Sequence, residues 1–214
     1  MSKNPDAFLD ELVGDLRPVK PLHQRVGMAW ACLAVGTGAI LLSSVLAMRA
    51  DLRAGHPDPM FLTSAGLFFV LALATSWAAV DMARPWVGTS RDGWGWTALM
   101  AAVLPAAAMG LVVLNWSLGK PVSVDSDGLE CLWVGSVIGL ITATVLVLWL
   151  RRGAPSCPRR AGMLTGVAAG SAGIFAVSLC CPYNDLLHIG LWHGSAVVLG
   201  GAVGRLIVPR LIRW

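Results

Sequence analysis

The chain has 214 residues, of which 56% are hydrophobic and only 13% are charged. Soluble domains carry about 25% charged residues, so the composition excludes an ordinary soluble domain and indicates a polytopic membrane protein. The net charge of +4 comes from basic residues between apolar segments, so it concerns topology and does not indicate direct contact with nucleic acid. Five irregularly spaced cysteines without a CxxC pair are not a disulfide framework.

The polar residues 1–26 contain a stretch, Pro5 to Arg17, that is typical of a short amphipathic helix. A helix this short is marginal alone in water, so its apolar stripe needs a surface to bury against. The polar face is acidic, whereas helices that lie on lipid usually carry Lys and Arg. A protein partner is therefore favoured over membrane lipid. The stripe consists of Phe8, Leu9, Leu12, Val13 and Leu16, and the acidic residues off it are Asp6, Asp10, Glu11 and Asp15.

Six apolar segments follow, each close to the ~20 residues that cross the hydrocarbon core of a bilayer. We therefore predict an all-α integral membrane protein whose residues 27–214 form a bundle of six transmembrane helices. The segments are 27–47, 60–80, 94–118, 131–150, 161–181 and 187–208. The loops that share the second side of the membrane lie at about 48–59, 119–130 and 182–187.

Lys and Arg are distributed unequally between the two sides of this bundle. The side with both termini carries 13 of them near the membrane and the other side carries 3. The positive-inside rule therefore predicts that the N-terminus and the C-terminus are both cytoplasmic. Arg205 lies inside the last apolar segment, one turn before Pro209, and is expected to snorkel to the inner interface as an anchor.

Glycines recur at a spacing of four in the last three segments, a pattern that lets membrane helices approach closely. We expect these helices to pack tightly within the chain, and the same faces offer a surface for a homodimer. The glycines are Gly135 and Gly139; Gly162, Gly166 and Gly170; Gly190 and Gly194; and Gly200 and Gly204.

Thiol and imidazole groups gather on the extracytoplasmic side of this topology. Cys131 opens the fourth segment, Cys180 and Cys181 close the fifth, and His188 and His193 open the sixth. Such ligands suit soft or borderline metals such as copper, zinc or cadmium, and the thiols could equally sense oxidants. We therefore predict a signal-sensing site, with all of these residues except Cys180 as metal ligands and no permanent cofactor.

Three further observations bear on this site. His188 and His193 are five residues apart and would not share one face of an α-helix cleanly. Acidic outer residues would concentrate cations and raise the pKa of nearby thiols. His56 lies on the same side, whereas Cys32 and Cys157 lie towards the cytoplasm and are expected to be incidental. The acidic residues are Asp125, Asp127, Glu130 and Asp185.

Short motifs in a fixed order carry a resemblance to a known family. The segment LRPVKPL at Leu16–Leu22, after an acidic amphipathic helix and before six spans, resembles the N-terminus of the NrsF-like integral-membrane anti-sigma factors. The resemblance covers essentially the whole chain. Its other elements are RADL at Arg49–Leu52, Cys131, LRRGAP at Leu150–Pro155, CP at Cys181–Pro182 and LWHG at Leu191–Gly194.

The resemblance implies a regulator and not an enzyme. In that family a cytoplasmic N-terminal segment holds an ECF sigma factor at the bacterial inner membrane, and a periplasmic signal read through a cysteine pair leads to its release. The pair matches Cys131 and Cys181 here, and members often have His where this chain has Cys180. The residues implied to bind the sigma factor are Phe8, Leu9, Asp10, Glu11, Leu12, Asp15, Leu16, Arg17 and Pro18.

Two other classes of protein share parts of this pattern. A small six-span metal or solute transporter would have the same layout, but no carboxylate lies inside a predicted span as proton relays and ion paths require. A membrane enzyme such as a thiol oxidoreductase is disfavoured by the lack of CxxC, of a Ser–His–Asp set in one compartment and of a nucleotide-binding loop.

Overall fold

The computed structural model describes residues 9–10, 13–14, 21–84, 94–119 and 127–212, and their regular secondary structure is helical with no β-strand. Six of the described helices are long and apolar enough to cross a membrane. This confirms the predicted all-α class and the predicted number of helices long enough to span a membrane. The helices are α1 (Gln24–Val45), the short α2 (Ala50–Arg53), α3 (Pro59–Asp81), α4 (Trp94–Ser117), α5 (Gly128–Arg151), α6 (Pro158–Ser178) and α7 (Leu186–Leu211).

Each spanning helix begins and ends within three residues of its predicted segment. Local residues explain several of these ends. Asp58 caps α3, since its carboxylate accepts hydrogen bonds from the backbone N–H groups of Met60 and Phe61, which the first turn of a helix leaves without partners. Pro59 and Pro158 occupy the first positions of α3 and α6, where a missing N–H costs nothing.

Most of the predicted N-terminal amphipathic helix lies outside the described residues. Residues 9–10 and 13–14 have helical backbone, and the side chains of Leu9 and Val13 are exposed. The helix as a whole and its role in binding therefore stay predictions. The other residues assigned to binding, all outside the described ranges, are Phe8, Glu11, Leu12, Asp15, Leu16, Arg17 and Pro18.

Helix α6 lies at the centre of the described bundle and packs against α7, α5 and α3. Glycines allow this, because their backbones touch those of the neighbouring helices directly. A Cβ atom added to Gly166 would overlap the Gly200 carbonyl group of α7, and one added to Gly173 would overlap the Gly135 carbonyl group of α5. The predicted tight packing of the last three helices is confirmed. These faces are covered within the chain, and the homodimer stays a prediction.

The bundle has two distinct ends, each with its own hydrophobic core. Leu22, just before α1, and Ile212, just after α7, pack into one core together with Trp149. Leu42 and Cys181 pack into the core at the opposite end. The start of α1 and the end of α7 therefore lie at the same end of the bundle, as the topology requires, while the sidedness of the membrane stays a prediction.

We expect Gly166→Ala to lower the melting temperature, because the added methyl group must push the α7 backbone away. Overpacking of this kind costs about 1–3 kcal/mol, more than the ~1 kcal/mol that Ala gains over Gly in a helix. The matched control is Gly66→Ala in α3, where the added atom has nothing within 4 Å. Thermal unfolding in detergent, followed by tryptophan fluorescence, measures both, and equal melting temperatures for the two variants would contradict the packing argument.

Candidate metal centre

Four side chains from three parts of the chain converge at the end of the bundle opposite to its termini. Cys131 is the fourth residue of α5, Cys181 lies in the loop between α6 and α7, and His188 and His193 lie near the start of α7. Their ligand atoms all lie within 4.8 Å of one another, and all but Cys131 are fully buried. These are the four residues that the sequence nominated as metal ligands, and their binding of a metal stays a prediction. We call them the four-ligand cluster.

Two of the distances between the sulfur and nitrogen atoms match those of a tetrahedral metal site. The sulfurs of Cys131 and Cys181 are 3.7 Å apart, and the Cys181 sulfur is 3.4 Å from Nε2 of His188. A tetrahedral zinc ion with bonds of ~2.3 Å to sulfur and ~2.0 Å to nitrogen separates its ligand atoms by roughly 3.3–3.8 Å. Both cysteines are free thiols and are therefore available as ligands. Because the four ligand atoms already lie within 4.8 Å of one another, only small movements would bring them around an ion.

A π-helical turn, Ile189–His193, brings the two histidines together. In an α-helix, which turns about 100° per residue, residues five apart point in directions that differ by about 140°. A π turn closes its hydrogen bonds from i to i+5, so His188 and His193 lie on one face with ring centroids 5.1 Å apart and ring planes at 78°. The expectation that they would not share a face was wrong.

His193 is buried without a hydrogen bond to either ring nitrogen. Its ring meets the edge of Phe68 at 6.1 Å between centroids, which satisfies neither nitrogen. A buried polar group left unpaired costs about 1–3 kcal/mol. A metal ion in the cluster would remove this cost, because one imidazole nitrogen would coordinate it. The residue types and the unpaired nitrogens therefore fit a soft or borderline ion.

The loop after α6 is held over the cluster by two acidic residues. Asp185 caps α7 by accepting the backbone N–H of His188 at 2.8 Å. Tyr183 stacks on the His188 ring at 4.8 Å between centroids and donates its hydroxyl to Asp127, next to the start of α5, at 2.6 Å. These bonds orient His188 and keep the loop close to the helix that carries Cys131.

Arg49, the first residue of the RADL motif, is buried, which the charge pattern of the sequence does not reveal. Its guanidinium donates to the Cys181 carbonyl oxygen and makes two bonds of 2.9 Å with the Asp51 carboxylate. It also lies over the Phe61 ring, 4.5 Å from the centroid, and its backbone N–H donates to the Leu179 carbonyl at 3.1 Å. Arg49 therefore ties the Cys181 loop to the loop between α1 and α3.

The Asp51 carboxylate that pairs with Arg49 is ionised at neutral pH. Hydrogen bonds from Arg49 hold the pKa of Asp51 well below its usual range. A lowered pKa stabilises the fold above the pKa of an unfolded Asp, about 3.9, and this contribution is lost as the pH falls through the lowered value. The ion pair between Arg49 and Asp51 is therefore fully formed throughout the physiological pH range.

Cys180 lies outside the four-ligand cluster. Its sulfur is 4.0 Å from the Leu46 carbonyl oxygen at the end of α1, and burial raises the pKa of its thiol. The structure thus does not bring this predicted sensing residue together with the four residues of the cluster. His56, Cys32 and Cys157 are exposed and also lie apart from the cluster.

The environment of Cys181 differs from the acidic one that was expected. The Cys131 thiol, followed by the His188 imidazole, lowers the pKa of the Cys181 thiol against the opposing effect of burial. The expectation that the acidic rim would raise the thiol pKa is wrong for this residue. A thiolate is the form of cysteine that binds metals and reacts with oxidants.

Comparison with known proteins agrees with the resemblance. The family model described as NrsF, negative regulator of sigma F, matches residues 12–214. The chain belongs to the NrsF family. It is 28% identical over 199 residues to the probable anti-sigma-F factor NrsF of Azospira oryzae, covering 85% of this chain and 87% of that protein. It is 27% identical over 213 residues to the anti-sigma-F factor NrsF of Caulobacter vibrioides, covering 98% and 99%. No solved structure gives a significant match.

We expect Arg49→Met to loosen the loop that carries Cys181. The change removes the donors to the Cys181 carbonyl and to Asp51, and an unsatisfied buried group costs about 1–3 kcal/mol. Hydrogen exchange of the 179–185 backbone amides, measured by mass spectrometry in detergent, should therefore accelerate about tenfold or more. Arg53→Met, at the end of the short helix that begins just after Arg49, is the control, because its side chain is exposed. Equal exchange in the two variants would show that Arg49 does not hold the loop.

Proposed function

We propose that this chain is a membrane-bound anti-sigma factor that holds an ECF sigma factor at the bacterial inner membrane and releases it when the four-ligand cluster receives a signal. The observation that supports the anti-sigma role is the family match over residues 12–214, together with two relatives that are named anti-sigma-F factors. The signal is a soft or borderline metal ion, with oxidation of the cluster thiols as its alternative.

The N-terminal segment, residues 1–26, binds the sigma factor in this proposal. The apolar stripe of Phe8, Leu9, Leu12 and Leu16 is buried against it, and a sigma factor so held cannot engage core polymerase. The exposed side chains of Leu9 and Val13 support this assignment. The acidic residues Asp10, Glu11 and Asp15 pair with a basic surface of the sigma factor, and Arg17 and Pro18 end the segment.

The predicted orientation, with both termini in the cytoplasm, puts the cluster on the periplasmic side. The start of α1 and the end of α7 lie at the end of the bundle away from the cluster, which supports this arrangement. The membrane domain then separates the sensing residues from the sigma factor, and the signal has to travel through the helices.

Two contacts connect the cluster to α1, the helix that follows the N-terminal segment. Arg49 joins the Cys181 carbonyl to the outer end of α1. Helix α5 carries Cys131 near one end and Trp149 near the other, and the Trp149 indole lies directly against Gly27 in the first turns of α1. Closure of the cluster around an ion moves both the Cys181 loop and α5, and both movements reach α1.

The energies favour a metal over a disulfide as the stronger signal. Moving a two-state equilibrium from 1:99 to 99:1 takes about 5.5 kcal/mol of differential binding. Structural zinc sites supply about 10–16 kcal/mol, whereas a disulfide contributes about 2–4 kcal/mol. A disulfide between Cys131 and Cys181 would also leave both nitrogens of the buried His193 unpaired.

The transporter alternative shares the six-span layout but is disfavoured by where the acidic residues of the described helices lie. In the described spanning helices the acidic residues lie at the ends, with Asp81 the last residue of α3 and Glu130 in the first turn of α5. Carboxylates that move protons or ions lie within the membrane-spanning part of a helix.

We expect the intact protein in detergent to capture the ECF sigma factor encoded beside it, and Leu12→Asp/Leu16→Asp to lose this capture, because two charges enter the apolar stripe. The matched control is Ala7→Asp/Gly14→Asp, which adds the same charges to the opposite face of the predicted helix. Co-purification measures the bound sigma factor. Failure of the intact protein to capture any sigma factor would refute the anti-sigma proposal, and equal loss in both variants would refute the stripe as its binding surface.

Variants of the two histidines distinguish a metal signal from an oxidant signal. A complex of the chain with its sigma factor in nanodiscs is treated with Cd²⁺ or with the thiol oxidant diamide, and released sigma factor is measured by size exclusion. We expect His188→Gln/His193→Gln to need at least ~10-fold more Cd²⁺ for release while leaving the diamide response unchanged, since a disulfide needs no imidazole.

The cysteine variants complete this experiment. Cys131→Ser/Cys181→Ser should respond to neither reagent, and Cys157→Ser, an exposed cysteine away from the cluster, should respond like the unaltered chain. Release by Cd²⁺ from both double variants would show that the cluster is not the metal sensor.

A further inference from the structure

A basic groove lies between α6 and α7 at the end of the bundle opposite to the four-ligand cluster. Its main part has a volume of about 440 Å³ and is lined by Cys157, Pro158, Arg159, Arg160, Arg205 and Pro209. A second part of about 300 Å³ shares Arg159, Arg205 and Pro209 and adds Leu206 and Arg210. Among these lining residues four are arginines and none is acidic.

The glycine contact between the two helices brings these arginines together. A Cβ atom on Gly162 would overlap the Gly204 carbonyl group, so the start of α6 and the last turns of α7 are in backbone contact. Arg159 and Arg205, which are far apart in sequence, therefore line one groove. The positive-inside rule explains why basic residues lie on this side of the membrane, but it does not require them to converge on a groove.

The start of α6 adds to the positive potential of the groove. The N-terminus of a helix carries roughly half a positive charge, which an acidic side chain usually balances. The first turn of α6 has no acidic residue and instead carries Arg159 and Arg160. Among the described residues, neither Arg159 nor Arg205 forms an ion pair. The negative charge of an anion in the groove would be balanced by the start of α6 and by the arginines that line the groove.

The position of the groove indicates that this anion belongs to a lipid. Arg205 lies six residues before the end of α7, about 9 Å along the helix axis, and thus within the apolar segment. Val203, Leu206 and Ile207 beside it are exposed, as expected for side chains that contact acyl chains. From this depth the Arg205 side chain can reach the inner interface only along the lipid-facing surface of the helix, where it meets lipid headgroups before it meets ions dissolved in water.

We propose that the groove binds the phosphate headgroup of an anionic phospholipid, phosphatidylglycerol or cardiolipin. The guanidinium groups of Arg159 and Arg205 hold the phosphate, because their planar forks match its oxygen atoms in pairs. Basic pockets between transmembrane helices recognise such headgroups in general. The acyl chains lie along the exposed apolar face of α7. This site is separate from sigma-factor binding and from the four-ligand cluster.

Native mass spectrometry of the intact chain in detergent tests the proposal with phosphatidylglycerol, cardiolipin and phosphatidylcholine as probes. We expect the two anionic lipids to bind in preference to phosphatidylcholine. Arg159→Gln/Arg205→Gln should weaken their binding about 30-fold, which corresponds to about 2 kcal/mol for two arginines. The matched control is Arg151→Gln/Arg152→Gln, which removes the same charge from exposed residues at the end of α5.

Four results would contradict a specific site for anionic lipid. Equal binding of phosphatidylcholine, or equal weakening in both double variants, would show only a general attraction to charge. Displacement of the lipids by inorganic phosphate at the same concentration would show a site for a soluble anion. The melting temperature in lipid-free detergent checks that the variants fold. Lipid binding that is unchanged in Arg159→Gln/Arg205→Gln would refute the site. Arg205→Lys is a second variant, which keeps the charge and loses the planar fork, and we expect it to weaken lipid binding by less than the double variant does.

Discussion

The close approach of α6 to its neighbours is the constraint on which the rest of the structure depends. Lipid chains are as apolar as leucine, so helices in a membrane associate through packing and not through the hydrophobic effect. Here the packing is backbone on backbone, at Gly166 against α7 and at Gly173 against α5. This contact sets the distance between the cysteine of α5 and the histidines of α7 at one end, and the distance between the arginines of α6 and α7 at the other.

Much of the fold could be predicted because the bilayer dictates it. A segment that crosses hydrocarbon must satisfy its own backbone hydrogen bonds, so it forms a helix whose length is that of the apolar run. This is why the predicted ends lie within three residues of the observed ones. The sequence did not identify α6 as the central helix. Its glycines and small polar residues such as Thr165 and Ser171, both buried, are the signal for it, because only small side chains permit contact on all sides.

The four-ligand cluster could be predicted in its membership and not in its geometry. Donor chemistry is a property of single residues, and alternation of the spans brings loops of one side together, so Cys131, Cys181 and the two histidines could be named. The π turn depends on how α7 packs, and an α-helical pattern cannot reveal it. Arg49 was missed because a count of charges treats a buried arginine like an exposed one. The RADL motif, which places Asp51 two residues later, was the available signal.

The bond from Arg49 ends on a main-chain oxygen, which every amino acid at position 181 would offer equally. Anchoring of the loop is therefore independent of the side chain that occupies the position. The side chain at position 181 and the oxygen that anchors the loop are different parts of the same residue, so the side chain can be exchanged without rebuilding the loop around it. Chains with this fold can in this way differ in the chemistry of this side chain while keeping the same architecture.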